Sequence, residues 1–136
     1  MEVTDAEFYR KDLESAIARH AERHVELIIV EDIESWAGTR IGDAKGNPPA
    51  MAITDDKSGA WAILLRRSID ANWVASVISR IEYGGLWQIR SILTSPELFL
   101  RHTVLHELAH LANGWGQDRE DDCDGWALSK LYAGAA

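Results

Sequence analysis

A short motif in the second half of the chain combines residue types that bind and use a zinc ion. His106, Glu107 and His110 stand in the pattern H-E-x-x-H. Side chains four residues apart lie on one face of a helix, so both imidazoles can reach one metal ion at about 2.0–2.1 Å. Glu107 would then project beside the metal, where it can take a proton from the attacking water. The alternative is a half-buried amphipathic helix on which these three side chains bind no metal.

An acidic run that follows the motif offers the third protein ligand that a catalytic zinc site needs. Residues 118–124 carry five acids and one arginine, a composition that is more often only a solvated surface. Glu120, ten residues after His110, is the predicted ligand. Asp124 lies one helical turn further along and is predicted to accept the second N–H of a ligand histidine. Asp122 is the rival candidate for the third ligand.

Several neighbouring residues receive lesser roles. Asp121 is expected to face solvent. Cys123 is expected to be a small buried residue on the wrong side of its helix to be an easy ligand. His102, four residues before the motif, is predicted to be a partly buried helix histidine; the alternative is that it lies on the same helix face and contacts the site. Tyr83 and Tyr132 are candidate donors to a developing oxyanion, but no positional argument makes either of them catalytic.

The motif and the acidic run together resemble the ImmA/IrrE family of zincin-type metallopeptidases. H-E-L-A-H at 106–110, followed by E-D-D-C-D-G-W-A at 120–127, is similar to the H-E-x-x-H and later E-x-x-A-[ND]-x-F-A of that family. The resemblance covers about residues 96–131. Cys123 stands where the family has alanine, and Trp126 where it has phenylalanine.

By position, the resemblance implies a role for each matching residue. His106, His110 and Glu120 match the zinc ligands, Glu107 matches the catalytic base, and Asp124 matches the Asn/Asp position. The implied activity is that of a zinc metalloendopeptidase, which hydrolyses peptide bonds.

The implied partner is a protein or peptide substrate, for which a bacterial or phage repressor is one candidate. Two other functions stay open at this point. One is a regulatory module, with or without zinc, that holds a partner protein in the cleft without cutting it. The other is a structural or interaction domain without metal.

Local signals predict the two helices that position the motif. Ser95 is a suitable N-cap, Pro96 suits the first helical position, and Asn113-Gly114 is a stop signal. A second helix is predicted over about 118–132, where it can fold back against the first and supply the third ligand.

The remaining elements predict an α+β fold that forms a single domain over 1–136, and the family resemblance implies that this fold is zincin-like. A helix is predicted over 4–25, strands over 26–30, 50–54 and 60–67, a loop over 38–49, and a helix over 70–82. A hairpin turning at Gly84-Gly85 is the alternative for the last of these. The small mixed or antiparallel sheet, expected to pair in antiparallel hairpins, packs with the N-terminal helix on the active-site helix. The resemblance to zincins further implies an edge strand beside the cleft that receives an extended peptide, and residues 60–67 are the expected counterpart.

Composition and charge exclude several classes of function. The 136 residues include 14 basic and 22 acidic ones, a net charge of −8, which disfavours general binding to nucleic acid. No apolar run approaches the roughly 18 residues of a membrane span, and no secretory signal is visible. Cys123 is the only cysteine, so an internal disulfide and a four-cysteine zinc site are both impossible. A cytoplasmic location is therefore predicted.

Overall fold

Helices and one small sheet alternate along the chain in the structure, a computed structural model that describes residues 1–40 and 47–131. Within these residues it has six α-helices and three strands, an α+β architecture. In chain order they are a 3₁₀ turn (Ala6–Tyr9), α1 (Arg10–His20), β1 (Val25–Val30), α2 (Ile33–Arg40), β2 (Ala50–Thr54), β3 (Trp61–Arg66), α3 (Ala71–Tyr83), α4 (Ile89–Ile92), α5 (Pro96–Asn113), a 3₁₀ turn (Gln117–Arg119) and α6 (Glu120–Lys130).

The sheet is mixed, with strand order β1-β3-β2. β3 pairs in parallel with β1 and antiparallel with β2. The expectation that residues 60–67 form the edge strand is therefore wrong, as is the expectation of antiparallel pairing for β1. The apolar run Ala62–Leu65 is buried on both faces of the sheet, which is typical of a central strand. Among the described strands, β2 is the edge strand that packs against α5.

The helices in the first part of the chain differ in extent from the prediction. The segment 4–25 divides into a 3₁₀ turn, α1 and the start of β1, and α2 extends into the predicted loop 38–49. Residues 41–46 of that loop lie outside the described residues. The helix predicted over 70–82 is confirmed as α3, and no hairpin forms around Gly84-Gly85.

α5 lies in the centre of the fold, against α1, α6, β2 and β3. Ser95 accepts a hydrogen bond from the backbone N–H of Leu98 at 3.2 Å, and Gly114 ends the helix with a left-handed φ of 65°. The predicted start and stop of this helix are thus confirmed. Its core positions are fully buried: Phe99, Leu100, Val104, Leu105, Leu108 and Ala109. The motif residues therefore stand on a helix that is held from several sides. No helix of the described residues has the length and apolar character needed to cross a membrane.

Candidate metal centre

A tight connection returns the chain from α5 to α6 and faces their side chains toward each other. The left-handed Gly114 ends α5, and a 3₁₀ turn leads directly into Glu120 at the start of α6. Within the connection, the backbone carbonyl of Trp115 accepts a hydrogen bond of 2.7 Å from His110 Nδ1. This bond fixes the His110 ring with its other nitrogen, Nε2, facing α6.

Two histidine nitrogens converge on a single carboxylate. His106 Nε2 lies 3.0 Å from Glu120 Oε2, and His110 Nε2 lies 2.9 Å from Glu120 Oε1. The structure thus brings together all three residues that the sequence predicts as ligands. Two imidazole nitrogens and a carboxylate are a ligand set that divalent zinc uses in catalytic sites.

Asp124 lies on the inner side of the same histidine. It is 1% exposed, and its Oδ1 accepts a hydrogen bond of 2.6 Å from His106 Nδ1. The same oxygen lies 3.1 Å from His102 Nε2 and 2.9 Å from Arg80 Nη2. Both ring nitrogens of His106 therefore face carboxylates, Asp124 on the buried side and Glu120 on the open side.

His102 is more closely involved than predicted. It is fully buried, and its Nε2 donates to Asp124, so it belongs to the hydrogen-bonded group around His106. Its spacing of four residues from His106 was the available signal, because that spacing places both rings on one helix face. Burial lowers the pKa of His102, which favours the neutral ring.

The ionisation of the group follows from these contacts. Burial acts to lower the pKa of His106, but its hydrogen bonds to Asp124 and Glu120 outweigh burial and raise the pKa to about 9. Burial acts to raise the pKa of both carboxyls, yet the histidine hydrogen bonds hold each pKa below its usual value. The metal-free group is therefore an imidazolium between two carboxylates.

Glu107 is placed differently from the other acids. Its side chain lines the cleft, and burial raises the pKa of its carboxyl above the usual value. The neighbouring His106 and His110 oppose that shift without cancelling it. A carboxylate whose pKa is raised is a better proton acceptor near neutral pH.

The other candidates from the sequence lie apart from this group. Asp121 and Asp122 are exposed, as expected, and Asp122 pairs with Arg119. Tyr83 is 92% exposed and is not among the residues that line the cleft. Tyr132 lies outside the described residues.

Cys123 is buried as expected, but the expectation about its position is wrong. A ligand atom of His106, one of His110 and the Cys123 sulfur all lie within 4.8 Å of one another. The reason is helical spacing, because Cys123 follows Glu120 by three residues and so shares its face. Burial, with Glu120 as the next cause, raises the pKa of the thiol to about 12.

A second group of described residues is also close enough to hold a metal ion. It consists of the buried His102, His106 and Asp124, whose ligand atoms lie within 4.8 Å of one another. Because both candidate groups contain His106, its two nitrogens mark the two places where a metal ion can bind.

The candidate ligands open into a cleft of about 720 Å³. The edge strand β2 lines this cleft, and α3 contributes Trp73, Val77 and Arg80 to the lining. Sequence reasoning missed Arg80 and the Trp115 carbonyl. Neither carries a motif, since an arginine on a distant helix and a backbone carbonyl have no pattern that links them to H-E-x-x-H.

No family model, curated protein or solved structure matches the chain. Inferences about function therefore depend on the residues and geometry described above.

Proposed function

We propose that this chain is a zinc-dependent metallopeptidase with a zincin-like fold, a minimal form of the ImmA/IrrE type of enzyme. The observation that carries the proposal is the convergence of His106 Nε2 and His110 Nε2 on the two oxygens of Glu120, at 3.0 and 2.9 Å. Hydrogen bonds to Asp124 and to the Trp115 carbonyl hold the opposite nitrogens of these two rings. Such outer partners fix the tautomer in which Nε2 is free to bind a metal.

His106, His110 and Glu120 would hold the proposed zinc at the cleft, through the nitrogens and oxygens that already face each other there. Asp124 already accepts hydrogen bonds from several donors, one of them Arg80, and a cation bound there would have to displace them. Cys123 would have to lose a proton from a thiol whose pKa is about 12. Glu120 needs no deprotonation, because its pKa is already lowered. The partners that a metal ion would displace from Glu120 are the nitrogens of His106 and His110, which then become ligands themselves.

Glu107 is the proposed proton carrier of the reaction. A bound zinc ion would polarise the scissile carbonyl and lower the pKa of water. The Glu107 carboxylate takes the proton that water loses as its oxygen attacks the carbonyl carbon. It then passes this proton to the amine as the C–N bond breaks, which balances the hydrolysis.

The proposed substrate is an extended segment of a protein or peptide that adds to the edge strand β2. Residues Ala50, Met51, Ala52 and Thr54 of this strand line the cleft beside His106 and Glu107. An edge strand offers unpaired backbone N–H and C=O groups, and a peptide in extended conformation can pair with them. A cytoplasmic protein such as a bacterial or phage repressor is the candidate substrate that the sequence resemblance suggests.

The test combines metal content with cleavage of a complex peptide mixture. The 136-residue chain, as wild type and as Glu107→Gln, is loaded with zinc and incubated with peptides from a digested proteome, and new termini are counted by mass spectrometry. Glu26→Gln is the matched control, because Glu26 is exposed on β1 and does not line the cleft.

We expect about one zinc per chain in all three proteins and a loss of about 10²–10⁴-fold in cleavage for Glu107→Gln alone. If Glu107→Gln cleaves peptides as fast as the wild type, the proposed peptidase mechanism with Glu107 as proton carrier is wrong. If Glu107→Gln instead keeps the biological effect of the protein in cells, the cleft acts as a regulatory protein-binding module without proteolysis. Failure of the wild type to bind zinc would refute the metal site itself.

A further inference from the structure

α3 presents one positively charged side chain to the cleft. Trp73, Val77 and Arg80 recur at helical spacing and line the cleft. Of the described residues that line the cleft, Arg80 is the only lysine or arginine. Its guanidinium is charged at every relevant pH.

The contacts of Arg80 hold one edge of the guanidinium and leave the other toward the cleft. Nη2 and Nε lie 2.9 and 3.3 Å from the two oxygens of the buried Asp124. Nη1 lies 3.7 Å from Glu120 Oε2, beyond hydrogen-bond distance, and the side chain is 38% exposed. A guanidinium carries five N–H donors, so Nη1 keeps donors that these contacts do not use.

This arrangement has the features of a site for developing negative charge. The donor is charged, it is held in place before any ligand arrives, and it stands beside the proposed ligand Glu120. Donors that are preorganised in this way stabilise an oxyanion because little reorganisation is needed when the charge forms. The tyrosines considered for this role do not compete within the described residues, because Tyr83 is not among those lining the cleft.

We infer that Arg80 Nη1 forms an oxyanion-binding subsite of the cleft, which receives the carbonyl oxygen of the scissile peptide bond. The inference rests on the proposed hydrolysis. As water adds to the carbonyl carbon, the π electron pair of the C=O bond moves onto oxygen, and Nη1 donates to that oxygen. When the C–N bond breaks, the C=O bond re-forms and the charge leaves the subsite. A tetrahedral or carboxylate oxyanion is the chemical class that the subsite binds.

Arg80 would also help to hold Asp124, so the experiment must separate these two roles. Two probes are used. Inorganic phosphate is a tetrahedral oxyanion, whereas imidazole is a metal ligand without negative charge. The full chain is loaded with cobalt(II), whose visible absorption reports both metal content and binding of each probe. The variants are Arg80→Met and Arg80→Lys. Arg90→Met is the matched control, since Arg90 is exposed, pairs with Glu82 and does not line the cleft.

For Arg80→Met we expect phosphate affinity to fall about tenfold or more while imidazole affinity stays unchanged. Arg80→Lys should lose less, and Arg90→Met should match the wild type. The inference is wrong if phosphate binding is unaffected, or if phosphate and imidazole weaken by the same factor. It is also wrong if both Arg80 variants lose cobalt, because the arginine would then serve only to build the ligand set. A wild type that takes up no cobalt would refute the proposed function instead.

Discussion

Glu120 and Asp124 carry the same chemical group one turn apart on α6, and both contact His106, yet their surroundings differ. Asp124 is 1% exposed and accepts hydrogen bonds from His102, His106 and Arg80. Glu120 is 28% exposed, and its two oxygens face the Nε2 atoms of two histidines at the cleft. The donors to the inner carboxylate include a buried histidine and an arginine, whereas the partners of the outer carboxylate are the two histidines that line the cleft with it.

The comparison shows that burial gives two carboxylates on the same helix different roles. A buried carboxylate is stable only when its oxygens are fully hydrogen-bonded, and those bonds make it a rigid holder of its neighbours. A carboxylate at the cleft can exchange its partners for a metal ion at lower cost. We therefore expect Asp124 to orient the site and Glu120 to bind the metal.

The largest expected effect on zinc affinity is the difference between substitutions at Glu120 and at the exposed Asp122. Glu120→Ala removes a proposed ligand and should weaken zinc binding by more than about 100-fold. Asp122→Ala removes the same charge from an exposed position and should leave zinc affinity unchanged. Competition with a chromophoric chelator measures both constants. The opposite result, with Asp122→Ala losing zinc, would overturn the assignment of the outer carboxylate.

A smaller effect is expected on the inner side. Asp124→Ala should lower zinc affinity by about 10–100-fold, as loss of a hydrogen-bond partner of a ligand histidine typically does. Asp121→Ala is the control, because Asp121 is exposed on the same helix. Because Asp124 is buried, circular dichroism is used to check that both variants are folded before their zinc affinities are compared. Equal losses in the two variants would mean that the acidic run acts only through its total charge.

Metal binding should depend on pH because zinc must displace a proton from His106. The pKa of His106 is raised to about 9, so below that pH the proton is bound in the metal-free protein. Zinc affinity should therefore rise about tenfold per pH unit between pH 7 and 9, with release of about one proton per zinc. Calorimetry in buffers of different ionisation enthalpy measures the proton count. Binding without proton release would contradict the imidazolium between two carboxylates.

The smallest effect distinguishes the two places where His106 can bind a metal. His102→Leu removes one donor to Asp124 and also a buried Nδ1 that has no partner among the described residues. If zinc lies on the cleft side, affinity should fall by less than about tenfold, since His102 then acts only through Asp124. Complete loss of zinc in this variant, with Glu120→Ala unaffected, would move the metal to the group of His102, His106 and Asp124.

Local signals were sufficient to predict the elements that carry the site. Ser95, Pro96 and Gly114 mark the ends of α5 through capping and a left-handed stop, which depend on near neighbours alone. The spacing of His106 and His110 places them on one face by helix geometry. The short connection also predicts that α6 folds back against α5, but the choice between Glu120 and Asp122 as the facing acid comes from the structure.

Tertiary structure alone decided which other groups meet these residues. Arg80 reaches Asp124 across 44 residues of sequence, and no local pattern encodes that contact. The prediction of an edge strand over 60–67 follows from the family resemblance and is wrong, because neither the resemblance nor an apolar run specifies which strands pair with it. That β3 is central, and β2 lines the cleft, depends on packing against α5. The sequence by itself thus determined the motif and its helices, while long-range packing determined which side of His106 is buried and which is open.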